Sequence, residues 1–278
     1  MEEVRAVLDE AYDRFARPEF VLNDPVQVPR CFAKRKDVEI MAFLTATIAW
    51  GQRRTIISNA QNLAKLMDET PFDFVMNATR SDLSRLDRFV HRTFNGIDLH
   101  HFIRALRHLY TAHGGLESAF LNAGEFDDIA TAIMRFRARF FEIDHPKRTL
   151  KHVADPGRGS HAKRINLFLR WMVRPADRGI DLGLWKRIPL AALHVPLDIH
   201  TGRVSRALGL LHRQQDDWKS VMELTGMLQK LDPVDPIRYD LALFALGVET
   251  SQQLAVGQRV STTRATRMTP RSSLARSR

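Results

Sequence analysis

Apolar residues recur at three- and four-residue spacing along nearly the whole chain, and strict alternation is nowhere sustained. Ile56, Ala60, Leu63 and Met67 form one stripe, and Leu99, Phe102, Ile103, Leu106, Leu109 and Tyr110 form a second. Others run through Ile165, Phe168, Leu169 and Met172, through Val204, Ala207, Leu208 and Leu211, and through Ile237, Leu241, Phe244, Ala245 and Val248. Such spacing puts side chains on one face of an α-helix, whereas a half-buried strand would alternate. It predicts an all-α protein. Two segments, 40–50 and 165–172, are apolar nearly all round, which a helix tolerates only when other helices enclose it. These are the expected central helices.

The boundaries carry capping chemistry. Ser160 is placed to cap the helix that holds Lys163, and Asp235 before Pro236 reads as a cap with proline at the first helical position. The polar stretch 145–159 (HPKRTLKHVADPGRG) is the best candidate for an internal linker. It would divide one helical domain, residues 1–255, into two lobes with a cleft between them, where sites often form. Residues 256–278 show no periodicity and hold six arginines and no acid, the pattern of a disordered basic tail. Removing these six from the formal +10 leaves +4 for the body, a mildly basic balance compatible with nucleic acid. The tail is either an arm for polyanions or an extension without a role.

Several classes are excluded. Cys31 is the only cysteine, so this chain alone builds no disulfide scaffold, all-cysteine zinc site or iron–sulfur cluster. The longest strongly apolar stretch, Met41 to Trp50, falls short of the about 20 residues that a membrane span needs. Glu2 and Glu3 open the chain without the basic-then-apolar order of a signal peptide. The expected state is a cytoplasmic monomer with no membrane partner and no cofactor. His91, His100, His101 and His108 lack accompanying acids at metal-ligand spacing, so no metal site is expected. The stretch Asp155 to Ser160 lacks the GxxxxGK[ST] pattern and a preceding strand, which excludes a nucleotide-triphosphate loop.

Three constellations remain. Asp198 stands just before an amphipathic helix in PLDIHTGRV, where a carboxylate satisfies free backbone N–H groups and meets the positive end of the helix dipole. It either caps the helix and nothing more, or also stabilises positive charge developing beside it. Lys163 lies at the start of an otherwise apolar helix; there it either snorkels to water or, partly desolvated, serves as a nucleophile. Trp50-Gly51-Gln52-Arg53-Arg54-Thr55 joins two helices. Arginines at a helix start oppose its dipole, but a phosphate at that terminus would share both the N–H groups and the arginines. The alternative is a solvated connector.

In order, these pieces resemble the helix-hairpin-helix DNA glycosylase superfamily, which includes endonuclease III, the adenine glycosylases and the archaeal 8-oxoguanine glycosylases. The anchor is LDIHTGRVSRALGL, 197–210, similar to the segment that carries the superfamily's catalytic aspartate; YDLALFALG, 239–247, resembles its last core helix. FLTATIAWGQRRT, 43–55, is similar to a helix ending in a glutamine-bearing tip that enters DNA. AKRINLFLRWM, 162–172, is similar to the lysine-bearing helix of the archaeal 8-oxoguanine branch, the closest in layout. The family's Leu-Pro-Gly-x-Gly hairpin is missing, because the corresponding stretch 181–193 holds Gly183 alone. The whole chain also resembles an uncharacterised bacterial family carrying a domain of unknown function.

The resemblance implies a two-lobed helical fold and a base-excision repair enzyme, a DNA glycosylase with AP lyase activity, acting on double-stranded DNA that contains an oxidised purine. Lys163 would be the nucleophile and Asp198 its catalytic partner. Gln52 would probe the duplex, Arg53, Arg54, Arg164 and Arg203 would hold phosphates, and Trp50 or Trp171 would stack on the extruded base. Either tryptophan fits a helix core equally well. The alternative is a noncatalytic DNA-binding or adaptor protein on the same scaffold.

Overall fold

The computed structural model describes residues 1–250, so the basic tail expected over 256–278 lies outside the described residues. Helix α1 (Glu2–Phe15) leads through three tight turns, Pro18–Asn23, Pro25–Gln27 and Pro29–Cys31, each opened by proline, whose fixed φ suits the first helical position. Next come α2 (Arg35–Thr47), α3 (Arg53–Leu66), α4 (Pro71–Asn77) and α5 (Arg80–Ser84). Strands β1 (Val90–His91) and β2 (Phe94–Asn95) form a short antiparallel hairpin pairing Val90 with Asn95 and His91 with Phe94. Helices α6 (Gly96–Ala112), α7 (Leu116–Phe120), α8 (Ile129–Phe140), α9 (Lys163–Val173), α10 (Ile199–Ala207) and α11 (Trp218–Leu231) follow, and α12 occupies residues 238–250. The fold is all-α.

Both segments that are apolar all round lie at the centre. Every residue of α2 from Asp37 to Thr47 is buried, and α9 buries Ile165, Asn166 and Phe168 to Val173. Phe43 on α2 is the hub of an aromatic cluster, its ring centroid 5.4–5.7 Å from those of Phe102, Phe136, Phe140 and Phe168. Helices α2, α6, α8 and α9 thus share one core. Each such ring contributes about 1.5–3 kcal/mol of burial free energy.

Residues 145–159, expected as a linker, are packed in. Thr149, His152, Val153 and Pro156 are buried, and Thr149 Oγ1 donates to Asp98 Oδ1 on α6 at 2.8 Å. Arg137 of α8 donates to the carbonyl of Leu150 at 2.9 Å. Buried apolar residues on both sides of the stretch form a single cluster, from Leu8 to Leu243. Thr149, His152 and Arg148 turn to Asp98 of α6 and Asp155 to Arg137 of α8, while Lys147, Lys151 and Arg158 stay exposed, a division that composition does not encode.

Three local expectations are corrected. The residue before α9 is Ala162, in the left-handed conformation at φ 49°, and Ser160 Oγ accepts from the Ala162 N–H at 3.3 Å instead of capping the helix itself. Asp235 does not spend its carboxylate as a cap; it binds the guanidinium of Arg174 at 2.7 Å. On α10 the buried face is Thr201, Gly202 and Ser205, while Ala207 is exposed and Val204 and Leu208 are half-buried. Helix α12 runs close to the start of α10: a Cβ on Gly247 would stand 2.8 Å from His200 Cβ, and Thr201 Oγ1 lies 3.4 Å from Asp240 Oδ1.

Candidate active site

A cleft of about 890 Å³ opens where the turns after α1, the α2–α3 connection, the start of α9, the segment before α10 and helix α12 meet. Lys163 and Asp198 both line it. The lysine is the first residue of α9, so its side chain leaves the helix at the rim while most of α9 is buried. The aspartate follows Val195, Pro196 and Leu197, all buried, which fix the chain up to the helix start. Asp198 is extended at φ −122° and ψ 179° and is the N-cap of α10: its Oδ1 accepts from the Thr201 N–H at 2.9 Å.

That cap leaves Oδ2, which stands 3.5 Å from Lys163 Nζ. The side chains are 28% and 13% exposed, and 3.5 Å is an ion-pair contact longer than a good hydrogen bond. The amine is therefore held next to an anion without being locked to it. A cleft of this size falls in the range of about 300–1,000 Å³ typical of small-molecule pockets.

Behind the pair lies a second charged layer. Arg170, about two turns further along α9, donates to Asp240 Oδ2 of α12 at 2.6 Å and to Asp181 Oδ1 at 3.1 Å. Asp240 and Arg170 also line the cleft. Burial pushes the Asp240 carboxyl up to about 6; the Arg170 charge works against that rise and the Asp198 charge adds to it. Arg174 extends the layer by binding Asp181 and Asp235 and by donating to Tyr12 Oη at 3.2 Å. Phe20 and Phe244 supply aromatic wall. Sequence reasoning passed over Arg170, Asp240, Phe20 and Phe244. The available signal was a charge inside an apolar helix, present in both NLFLRWM and YDLALFALG.

The remaining expected residues divide. Trp50 is half-buried and lines the cleft, with its ring edge-on to His91 at 4.9 Å. Trp171 is fully buried and is not among the cleft residues, so it belongs to the core and offers no surface to a base. Gln52 and Arg54 are exposed at the start of α3. Arg53 points back across the cleft, its guanidinium 4.4 Å from the Phe244 ring centroid. Arg164 is turned inward: it donates to the carbonyls of Thr47 at 2.7 Å and Lys151 at 3.3 Å and lies 4.7 Å over the Trp50 ring. Burial lowers its guanidinium to about 10. Its donors hold the α2–α9 junction, which accounts for the residue without a phosphate. Arg203 is exposed on α10 and donates to the Gly247 carbonyl.

No metal ligands were expected, yet His108, His113 and Glu142 converge away from the cleft, with their ligating atoms all within 4.8 Å of one another. The acid missing from the histidine-rich helix is supplied by the end of another. Among the described residues, no helix is long and apolar enough to cross a membrane.

The fold and cleft define an all-α protein with a lysine–aspartate pair on the wall of an open cavity. The chain belongs to the family described as Protein of unknown function (DUF2400), whose model matches residues 24–249. That span contains every cleft residue named here except Phe20. No curated protein and no solved structure matches the chain.

Proposed function

We propose that this protein is a DNA-repair glycosylase with AP lyase activity that excises an oxidised purine from double-stranded DNA. The observation that carries the reading is the approach of Lys163 Nζ to 3.5 Å from Asp198 Oδ2 in a cleft able to admit one extruded nucleotide. Residues 35 positions apart in the chain meet at one point. Lys163 gives its ammonium proton to water, and the freed lone pair attacks C1′ of the sugar. The C1′–N9 bond breaks with its electron pair leaving on the purine, which takes a proton from water. Loss of an amine proton and opening of the sugar ring leave an imine on Lys163. Removal of the C2′ proton then expels the 3′ phosphate and nicks the strand. Asp198 stays anionic while positive charge builds on the sugar, the electrostatic role its capping geometry suits. Gln52 and Arg54 face the duplex from the start of α3, and Trp50 flanks the extruded base.

A noncatalytic DNA-binding protein is the second reading, favoured by residues 174–197. Between α9 and α10 this segment holds one three-residue turn, Leu190–Ala192, in place of a glycine-paired helical hairpin to grip phosphate. Borohydride trapping on duplexes containing 8-oxoguanine, uracil or an abasic site separates the two. A covalent adduct that vanishes in Lys163→Gln is the expected result, and the substrate that gives it names the lesion class. Duplex binding that weakens with salt but yields no adduct on any substrate establishes the second reading instead.

A further inference from the structure

The last turn of α6 and the end of α8 meet at the surface through three side chains with one focus. His108 Nε2 and His113 Nε2 each stand 2.7 Å from the same atom, Oε2 of Glu142. Five residues apart, the histidines would point in different directions on a continuing helix. They meet because α6 stops at Ala112: His113 is its C-cap, and Gly114 and Gly115 follow at φ 71° and 101°, turning the chain back. The Gly115 N–H closes that turn on the Leu109 carbonyl at 3.0 Å, and the two imidazoles pack edge to face with centroids 5.2 Å apart. Glu142 follows Phe141, whose ring lies parallel to that of His101 on α6 at 5.2 Å, so the carboxylate is delivered by a packed helix end.

We propose that His108, His113 and Glu142 form a site for a divalent cation of the zinc class, which ties the end of α6 to the turn after α8. The donor set is two imidazole nitrogens and one carboxylate oxygen, the mixture that suits zinc and its first-row neighbours; calcium and magnesium prefer oxygen alone. Two neutral imidazoles and one carboxylate carry a single negative charge, which partly offsets that of the ion. Ligand atoms on a tetrahedral zinc with bonds of about 2.0–2.1 Å lie about 3.3 Å apart. Each nitrogen–oxygen separation must therefore widen by about half an ångström. Glu142 is the member that can give way: its side chain is 47% exposed, against 25% and 20% for the histidines. Three protein ligands leave one position to water, so the site is open. None of the three residues lines the cleft, and the proposal is independent of the glycosylase reading.

The full chain is titrated with zinc by calorimetry and with cobalt(II) by visible absorption, beside Glu142→Gln and His108→Asn/His113→Asn. The chain's other histidines are the background against which the variants are read. The expected result is one equivalent of zinc bound by the parent, cobalt bands of low coordination number, and affinity at least about tenfold weaker in Glu142→Gln and about 100-fold weaker in the double variant. Glu142 is exposed, so its replacement keeps the test intact even if the double variant folds poorly. Equal affinity in parent and Glu142→Gln, or no saturable binding by the parent, overturns the proposal and leaves the trio as a hydrogen-bonded helix tie.

Discussion

Two sets of ion pairs, one at the first residue of α9 and one near its C-terminal end and C-cap, differ in almost every physical respect. Arg170 and Arg174, 5% and 4% exposed, are saturated by Asp181, Asp235 and Asp240 in short, multiply bonded pairs. Lys163, at the rim, makes one long contact to Asp198. In the buried layer each guanidinium is paired with two carboxylates, and its removal would strand desolvated anions. At the rim the amine keeps a lone anionic neighbour, solvent on one side and room to move. Similar charged side chains are thus enclosed toward the C-terminal end of α9 and left open at its first residue, and the two sets differ in how completely each charge is satisfied.

The comparison breaks if the deep layer proves dispensable. Arg174→Ala leaves Asp235 without its partner and Asp181 with Arg170 alone, and should cost about 3–5 kcal/mol, read as a lowered urea midpoint. Lys163→Gln should stay within about 1 kcal/mol of the parent, as expected for a partly exposed pair. Equal shifts in the two variants would erase the distinction. Activity should run the other way: Lys163→Gln abolishes the borohydride adduct, while adduct formation that survives it would remove the lysine from the chemistry.

Asp198→Asn sharpens the contrast further, because asparagine caps a helix about as well as aspartate. Adduct formation should fall by about 100-fold with the charge, with the unfolding midpoint nearly unchanged, whereas Asp198→Ala should lose about 1 kcal/mol of stability as well. If Asp198→Asn keeps full activity, Asp198 is a cap and nothing more. The smallest effect concerns Asp240. Burial raises its folded carboxyl from the ordinary 3.8 to about 6, so the folded state binds the proton more tightly than the unfolded chain. Its contribution to stability is then complete below about 3.8 and fades as pH climbs through about 6. Unfolding curves across that window should lose stability with rising pH in the parent relative to Asp240→Asn. An identical slope in both proteins would assign the pH dependence to other groups.

The spacing of apolar residues made the helices legible, and α2 and α9 stood out as central because they are apolar on every side. Asp198 as a cap was legible too, since residue type and position before a helix specify that role. Its nearness to Lys163 was suggested only by a family resemblance, since no periodicity links residues 35 positions apart. Trp50 and Trp171 looked alike in sequence, yet one lines the cleft and the other is sealed in the core. Arg164 looked like a phosphate contact but holds two backbone carbonyls. Glu142 was invisible as a partner of His108 because it stands 34 residues further on, in the turn after α8.

The sequence by itself determined the all-α class, the two central helices and the cap at Asp198, because each depends on interactions reaching no more than about one helical turn or on the apolar character of a single segment. Only the tertiary structure decided which charges are enclosed and which stay open, that residues 145–159 are packed against α6 and α8, and that α10 turns its small residues inward. Those outcomes depend on which surfaces meet in space. Burial, with the desolvation that sets the cost of each charge, is a property of the packed chain and not of any stretch of it.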